Sequence, residues 1–103
     1  MGDYPTDEDL VRIKAWPPDD PRGWFAFIKA VGNYWPDRLW GWDERDDEDE
    51  IDKAVHVYEV STGGWSGNEE IIDAMQNHEM LWFLTWRQTR RGGHYTFMVS
   101  RDA

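Results

Sequence analysis

Ser61-Thr62-Gly63-Gly64-Trp65-Ser66-Gly67-Asn68-Glu69-Glu70 is the stretch whose reading decides the fold of this 103-residue chain. A β-rich run, Ala54 to Val60, leads into it with Val55, Val57, Tyr58 and Val60. Its alternation is imperfect, as expected of a strand covered on both faces. Ile71, Ile72 and Met75 follow at helical spacing, and Ser66 with Glu69 has the pattern of a capping box. The stretch therefore reads as a glycine-rich turn that carries the chain from a strand into a helix N-terminus.

Downstream, Asn77-His78 closes that helix. Met80 to Thr89 reads as the next strand, with Met80, Trp82, Leu84 and Trp86 on one side and Leu81 and Phe83 on the other. Arg90-Arg91-Gly92-Gly93 is a turn signal. His94 to Ser100 returns with Tyr95, Phe97 and Val99 on one face. The last two strands are therefore expected as an antiparallel hairpin.

Upstream, Met1 to Pro5 reads as a loose end. Thr6 caps a short helix with Asp7, Glu8 and Asp9 in its first turn, and Pro17-Pro18 stops it near Trp16. Asp20 caps a second helix that has Pro21 at its first position. Trp24, Phe27, Ile28, Val31 and Trp35 recur along it at helical spacing, and Gly32-Asn33 suits its end. The aromatic stripe is a core face or, less simply, a ligand groove. Tyr34 to Trp42 reads as a loop, with Trp40 and Trp42 folded onto the core or left as a contact surface.

Asp43 to Asp52 holds eight acids and one Arg, so it carries −7 of the chain's net −10. A solvated acidic linker within the domain is the plain reading. A Ca²⁺ loop does not fit, because neither the Gly nor the Glu falls at its required position. Mimicry of a phosphate backbone would need the acids fixed on a rigid surface. Together these elements predict one α+β domain over 1–103. Its sheet would have about three strands in the order β-α-β-β, with helices packed on one face. The helix between Val60 and Met80 also permits a right-handed parallel crossover.

Composition narrows the function. Eight Trp, four Tyr and four Phe supply much of the core of a short chain. The absence of Cys excludes disulfides, thiol catalysis and thiolate metal sites. No apolar run approaches the roughly 18 residues of a membrane span, and the acidic N-terminus shows no secretory signal. The expectation is a soluble cytoplasmic protein that repels nucleic-acid backbones.

Two corners could form a site. The first is Thr62, Gly63, Gly64, Trp65, Ser66, Gly67 and Asn68, where bare amides at a helix N-terminus could meet an anion. It is neither a P-loop nor a dinucleotide fingerprint, and Glu69 and Glu70 compete with an anion there. As a plain connector it would let Trp65 tuck into the core. The second is Arg90, Arg91, His94 and Tyr95, two guanidiniums with an imidazole and a phenol that could grip a carboxylate or phosphate. As solvated tip residues, the two Arg could instead pair with the acidic run. If the corners meet at one sheet end they make one pocket. His56, His78 and His94 lack metal-ligand spacing, so no metal or cofactor is expected. Ser66 lacks the spacing of a nucleophile elbow.

The motifs Ser61-Thr62-Gly63-Gly64-Trp65-Ser66-Gly67-Asn68-Glu69 and Arg90-Arg91-Gly92-Gly93-His94-Tyr95 carry a resemblance. So do Tyr4-Pro5-Thr6-Asp7-Glu8-Asp9, Pro21-Arg22-Gly23-Trp24 and Gly32-Asn33-Tyr34-Trp35-Pro36. Together they resemble a family of small uncharacterised proteins encoded by bacteriophages of actinobacteria. The acidic run looks like an extension that many such relatives lack. The resemblance implies an accessory role in the host cytoplasm and no particular mechanism. The expected function is non-catalytic binding of a small anionic ligand at the two corners. The alternatives are an acidic inhibitor or adaptor that engages a basic host protein, and a small hydrolase using His94 with Glu69 or Glu70.

Overall fold

The computed structural model describes residues 5–31, 41–48, 54–62 and 66–101. In chain order these form α1 (Asp7–Lys14), α2 (Pro21–Val31), β1 (Trp42–Glu48), β2 (Ala54–Ser61), α3 (Ser66–Asn77), α4 (Glu79–Thr85), β3 (Trp86–Arg90) and β4 (His94–Ser100). The class is α+β, as expected. The sheet has four antiparallel-paired strands in the order β1-β2-β4-β3, rather than about three in β-α-β-β order. β2 and β3 both run antiparallel to β4, so they run parallel to each other with β4 inserted between them.

Two differences account for the changed topology. The acidic run was expected as a linker, yet Asp43 to Glu48 lie in β1 and pair with β2 from Asp43↔Glu59 to Glu48↔Ala54. Some of the partners that make this possible, Glu59, Arg101 and Lys29, sit far away in sequence. Arg45 pairs with Glu59, with Asp47 at 3.7 Å and with Asp43 at 3.9 Å, while Arg101 reaches Asp46 at 3.6 Å and Lys29 reaches Glu44 at 3.6 Å. The rest of the run, 49–52, lies outside the described residues, as do Met1 to Tyr4, Gly32, Asn33, Trp35 and Trp40.

The second difference is at Met80 to Thr89, where the first half is helix α4 and only Trp86–Arg90 is strand. His78 caps the helix: its Nδ1 accepts from the Leu81 amide at 3.3 Å, while its Nε2–H donates to the Trp16 carbonyl at 2.7 Å. Leu81 and Thr85, one turn apart, are buried, and Thr85 Oγ1 donates to Leu81 O at 2.7 Å. An uninterrupted apolar run fits either period, and here the cap and the i, i+4 burial select the helix.

The caps expected for the first two helices are present. Thr6 and Asp9 form a capping box on α1. Asp20 Oδ1 accepts from the Gly23 amide at 3.1 Å at the start of α2. Trp24 Nε1 donates to Ile13 O at 2.9 Å and ties α2 to α1. Trp24 and Ile28 are buried as the stripe predicts, and Phe25, off that stripe, is fully buried as well. Its ring stacks on Tyr58 of β2 at 4.1 Å and lies 5.2 Å from Phe97 of β4. Trp82 of α4 meets Phe97 edge-on at 5.3 Å. Ile13, Ile71, Ile72 and Met75 complete the same cluster, so the described helices cover one face of the sheet. Adjacent Val57 and Tyr58 are both buried, in keeping with a strand covered on both sides.

At the hairpin, Gly92 and Gly93 take φ of 87° and 79°, the left-handed region that costs other residues about 1–2 kcal/mol. Thr62 donates its amide to Gly93 O at 3.1 Å, which fastens the end of β2 to the hairpin turn. A Cβ on Gly93 would collide with Thr62 Oγ1, whereas one on Gly92 would meet only the movable His94 ring, at 3.3 Å. Gly93→Ala should therefore lower the melting temperature on the order of 10 °C, at about 4–8 °C per kcal/mol. Gly92→Ala should cost clearly less. Equal losses in thermal unfolding would contradict the Thr62–Gly93 joint.

Candidate functional site

Strand alternation sorts the side chains of the hairpin end onto two faces. Tyr95 turns toward the helices: it lies opposite Val60, parallel to Phe97 at 6.3 Å and edge-on to Trp82 at 6.1 Å. His94 and Thr96, one residue to either side, take the far face. The register sets His94 beside Arg90, and Thr96 beside Gln88 and Glu59, with Asp43 next in the row. A cleft of about 260 Å³ opens there, lined by Asp43, Glu59, Val60, Arg90, His94, Tyr95 and Thr96.

The charges in this cleft are arranged unequally. Arg45 holds both of its acids, pairing with Glu59 and lying 3.9 Å from Asp43. No carboxylate among the described residues lies within ion-pairing distance of Arg90 or Arg91, and both are exposed. Among those residues the acidic run is thus balanced by Lys29, Arg45, His56 and Arg101, not by the hairpin tip. Arg90, with the His94 imidazole beside it, forms one wall of a cleft whose acids, Glu59 and Asp43, face Arg45.

The other candidate corner is divided. Thr62 is buried, and its carbonyl accepts from Asn68 Nδ2 at 3.2 Å; Asn68 and Gly67 are buried at the start of α3, and Ser66 is exposed. Gly63, Gly64 and Trp65 lie outside the described residues. Burial, and then the Glu69 charge, raise the Tyr95 pKa. The flanks of the glycine turn and the hairpin tip therefore share one sheet end through Thr62 and Gly93. Arg90 and His94 line the far-face cleft, and Tyr95 carries its ring to the core. Asp43, Glu59 and Thr96 were not foreseen, because only the strand register brings them to this place.

A second cluster lay outside the sequence expectations. His56 Nδ1 is 2.8 Å from Asp46 Oδ1 and His56 Nε2 is 2.9 Å from Glu44 Oε1, so both ring nitrogens face carboxylates. Trp42 Nε1 donates to the other Glu44 oxygen at 2.7 Å, and the Tyr58 ring meets the imidazole edge-on at 4.8 Å. Burial pushes the Tyr58 pKa up to about 12, with the Glu44 charge adding to it. Burial pulls the His56 pKa down, but the hydrogen bonds to Asp46 and Glu44 outweigh it and leave it raised. Burial works against Glu44 ionisation too, and is outweighed by hydrogen bonds from His56 and Trp42 and by the Lys29 charge, so its pKa is lowered. Asp46 is lowered chiefly by its bond to His56. The three side chains form a rivet between β1 and β2, one imidazole held by two carboxylates. Among the described residues no group of His, Asp and Glu is arranged to hold a metal ion, and no helix is long and apolar enough to cross a membrane.

Comparison with known proteins finds no family model, no curated protein and no solved structure that matches this chain.

The rivet has a pH signature. A raised His56 pKa gives stability that is fully present below the ordinary value of about 6.5 and lost as pH rises through the folded value. The lowered Glu44 and Asp46 pKa values give stability that is lost as pH falls through theirs. The stability difference between the native protein and His56→Gln should therefore be larger near pH 5.5 than near pH 8.5, both values being about one to two units from the ordinary His pKa. Urea unfolding at the two pH values measures it. A difference independent of pH would mean that the imidazole is held without charge.

Proposed function

We propose that this protein works by binding rather than catalysis, and that the far-face cleft at the hairpin end holds a small anionic ligand. One observation carries the reading. Arg90 and His94 stand together on the rim of a cleft whose own acids, Glu59 and Asp43, are engaged by Arg45. An incoming phosphate or carboxylate would find a guanidinium that no carboxylate among the described residues pairs with, and a guanidinium can make paired hydrogen bonds to such a group. Thr96 adds a hydroxyl on the same face, and the Thr62 amide ties the hairpin turn to the end of β2 through Gly93 O. This fits the accessory role in a host cytoplasm that the motif resemblance implies, without requiring chemistry at the site.

A second reading, an acidic adaptor for a basic host protein, gains from the placement of Asp43, Asp47 and Glu48 on an exposed edge strand. It ranks lower because Asp43 and Asp47 already face Arg45, while Glu44 and Asp46 face His56.

Thermal unfolding with orthophosphate, pyrophosphate or AMP tests the first reading. A ligand present at about a hundred times its Kd adds roughly 2.7 kcal/mol of stability. At least one probe should raise the melting temperature of the native protein. The Arg90→Ala, Arg91→Ala double variant should keep the native melting temperature within a few degrees, since exposed side chains away from packing cost little. It should also lose the ligand-induced rise. A shift that survives in the double variant, or no shift with any of the three probes, rejects the cleft as an anion site.

A further inference from the structure

Helix α4 buries Leu81 and Thr85 and turns the opposite stripe to solvent. Met80 is 56% exposed, Phe83 81% and Leu84 52%. These positions follow i, i+3, i+4 spacing, the pattern of a helix face that packs against another helix. Scattered exposed apolar residues are ordinary, but three on one short ridge form a contiguous patch. Trp86, 38% exposed and stacked on Trp82 at 6.3 Å, extends it toward β3.

The charges at the two ends of this ridge are opposite. Glu79 begins the helix, one turn before Phe83. Arg87 follows its end and folds back over it, with its guanidinium donating to Leu84 O at 3.3 Å and to Trp86 O at 3.2 Å. The ridge therefore reads acid, three apolar residues, cation. A two-fold axis through Phe83 would place Glu79 of one copy against Arg87 of the other, twice, with Met80 and Leu84 exchanging contacts around a Phe83–Phe83 centre. Such an isologous contact uses one patch twice and closes after two copies. A strand added at the β3 edge is less well supported: β3 has five residues, and its register is broken between Trp86 and Gln88.

We infer that α4 is the interface of a symmetric antiparallel homodimer, formed by the Met80–Phe83–Leu84 ridge and closed by reciprocal Glu79–Arg87 pairs. A ridge of this size gives a weak, concentration-dependent dimer, at the small end of specific interfaces. Each copy carries a net charge of −10, so salt should strengthen the association by screening mutual repulsion. The interface is separate from the far-face cleft and does not rest on the ligand-binding reading.

Sedimentation equilibrium on the full chain, from about 10 μM to about 500 μM, covers the range expected of a micromolar to millimolar Kd. The native protein should pass from monomer to dimer and no further, more completely at higher salt. Phe83→Asp should remain monomeric with an unchanged circular dichroism spectrum. Glu79→Arg and Arg87→Glu should each dimerise about tenfold more weakly or worse. Their 1:1 mixture should recover association, because only the mixed pair restores both contacts. This recovery distinguishes lost pairing from damaged folding. A native chain that stays monomeric throughout overturns the inference, as does a dimer indifferent to Phe83→Asp or a mixture that recovers nothing. A monomer that instead binds anionic phospholipid vesicles through Phe83 would reassign the ridge to a membrane surface and would equally overturn it.

Discussion

Phe25 lying flat against Tyr58, with Phe97 beside both, is the contact from which the rest of the architecture follows. It joins the second helix to the two central strands. Through Phe97 and Trp82 it also reaches the fourth helix. Each such pair contributes about 0.5–1.5 kcal/mol beyond the area it buries. For a short chain with a modest core, that is a substantial part of a net stability of about 5–15 kcal/mol. Because the stack commits the even-numbered residues of β2 to the helices, it also commits Glu59 and the neighbouring His94 and Thr96 to the other face. The position of the cleft is thus a consequence of the position of the core.

The acidic strand shows how a like-charged sequence can be held in a sheet. Its side chains alternate, so repulsion is shared between two faces, and each face receives its own cation: Arg45 on one, His56 with Arg101 and Lys29 on the other. Most of these pairs are open to solvent, and each alone adds little. Their combined role is to make pairing tolerable where the five acids of β1 would otherwise repel one another. The residual charge at this edge also discourages other strands from adding to it.

What could be read in advance was whatever is encoded locally. Thr6 and Asp20-Pro21 mark helix starts within four residues of themselves, and the Arg90 to Gly93 turn announces a hairpin over a similar distance. What could not be read depends on partners remote in sequence. Asp43 to Glu48 look like solvent until Arg45 meets Glu59 and His56 meets Asp46, contacts that only the β1–β2 register creates. Met80 to Leu84 satisfy both a strand and a helix pattern, and the deciding contact is His78 holding the Trp16 carbonyl across 62 residues. Phe25 lies off the apparent stripe because α2 packs on α1 and on the sheet at once. In the site, Arg90 and His94 were legible from the tip sequence. Glu59, Asp43 and Thr96 were not, since no spacing rule joins three strands.

The hairpin tip serves both faces through consecutive residues, and this limits how the proposed binding can be separated from stability. His94 looks into the cleft while Tyr95 lies against Trp82 and Phe97. Gly93 O, the Thr62 amide, the Thr62 carbonyl and Asn68 Nδ2 then link the tip, the end of β2 and the first turn of α3. A change in Gly93, Thr62 or Asn68 is felt in the core before it is felt by any ligand, because each is committed to that joint. Arg90 and Arg91 are different: they are exposed, contribute no packing to the aromatic stack, and have no carboxylate partner among the described residues. Charge can therefore be removed from the cleft rim while the scaffold beneath it is left standing, so loss of ligand response in such a variant reports on binding rather than on folding.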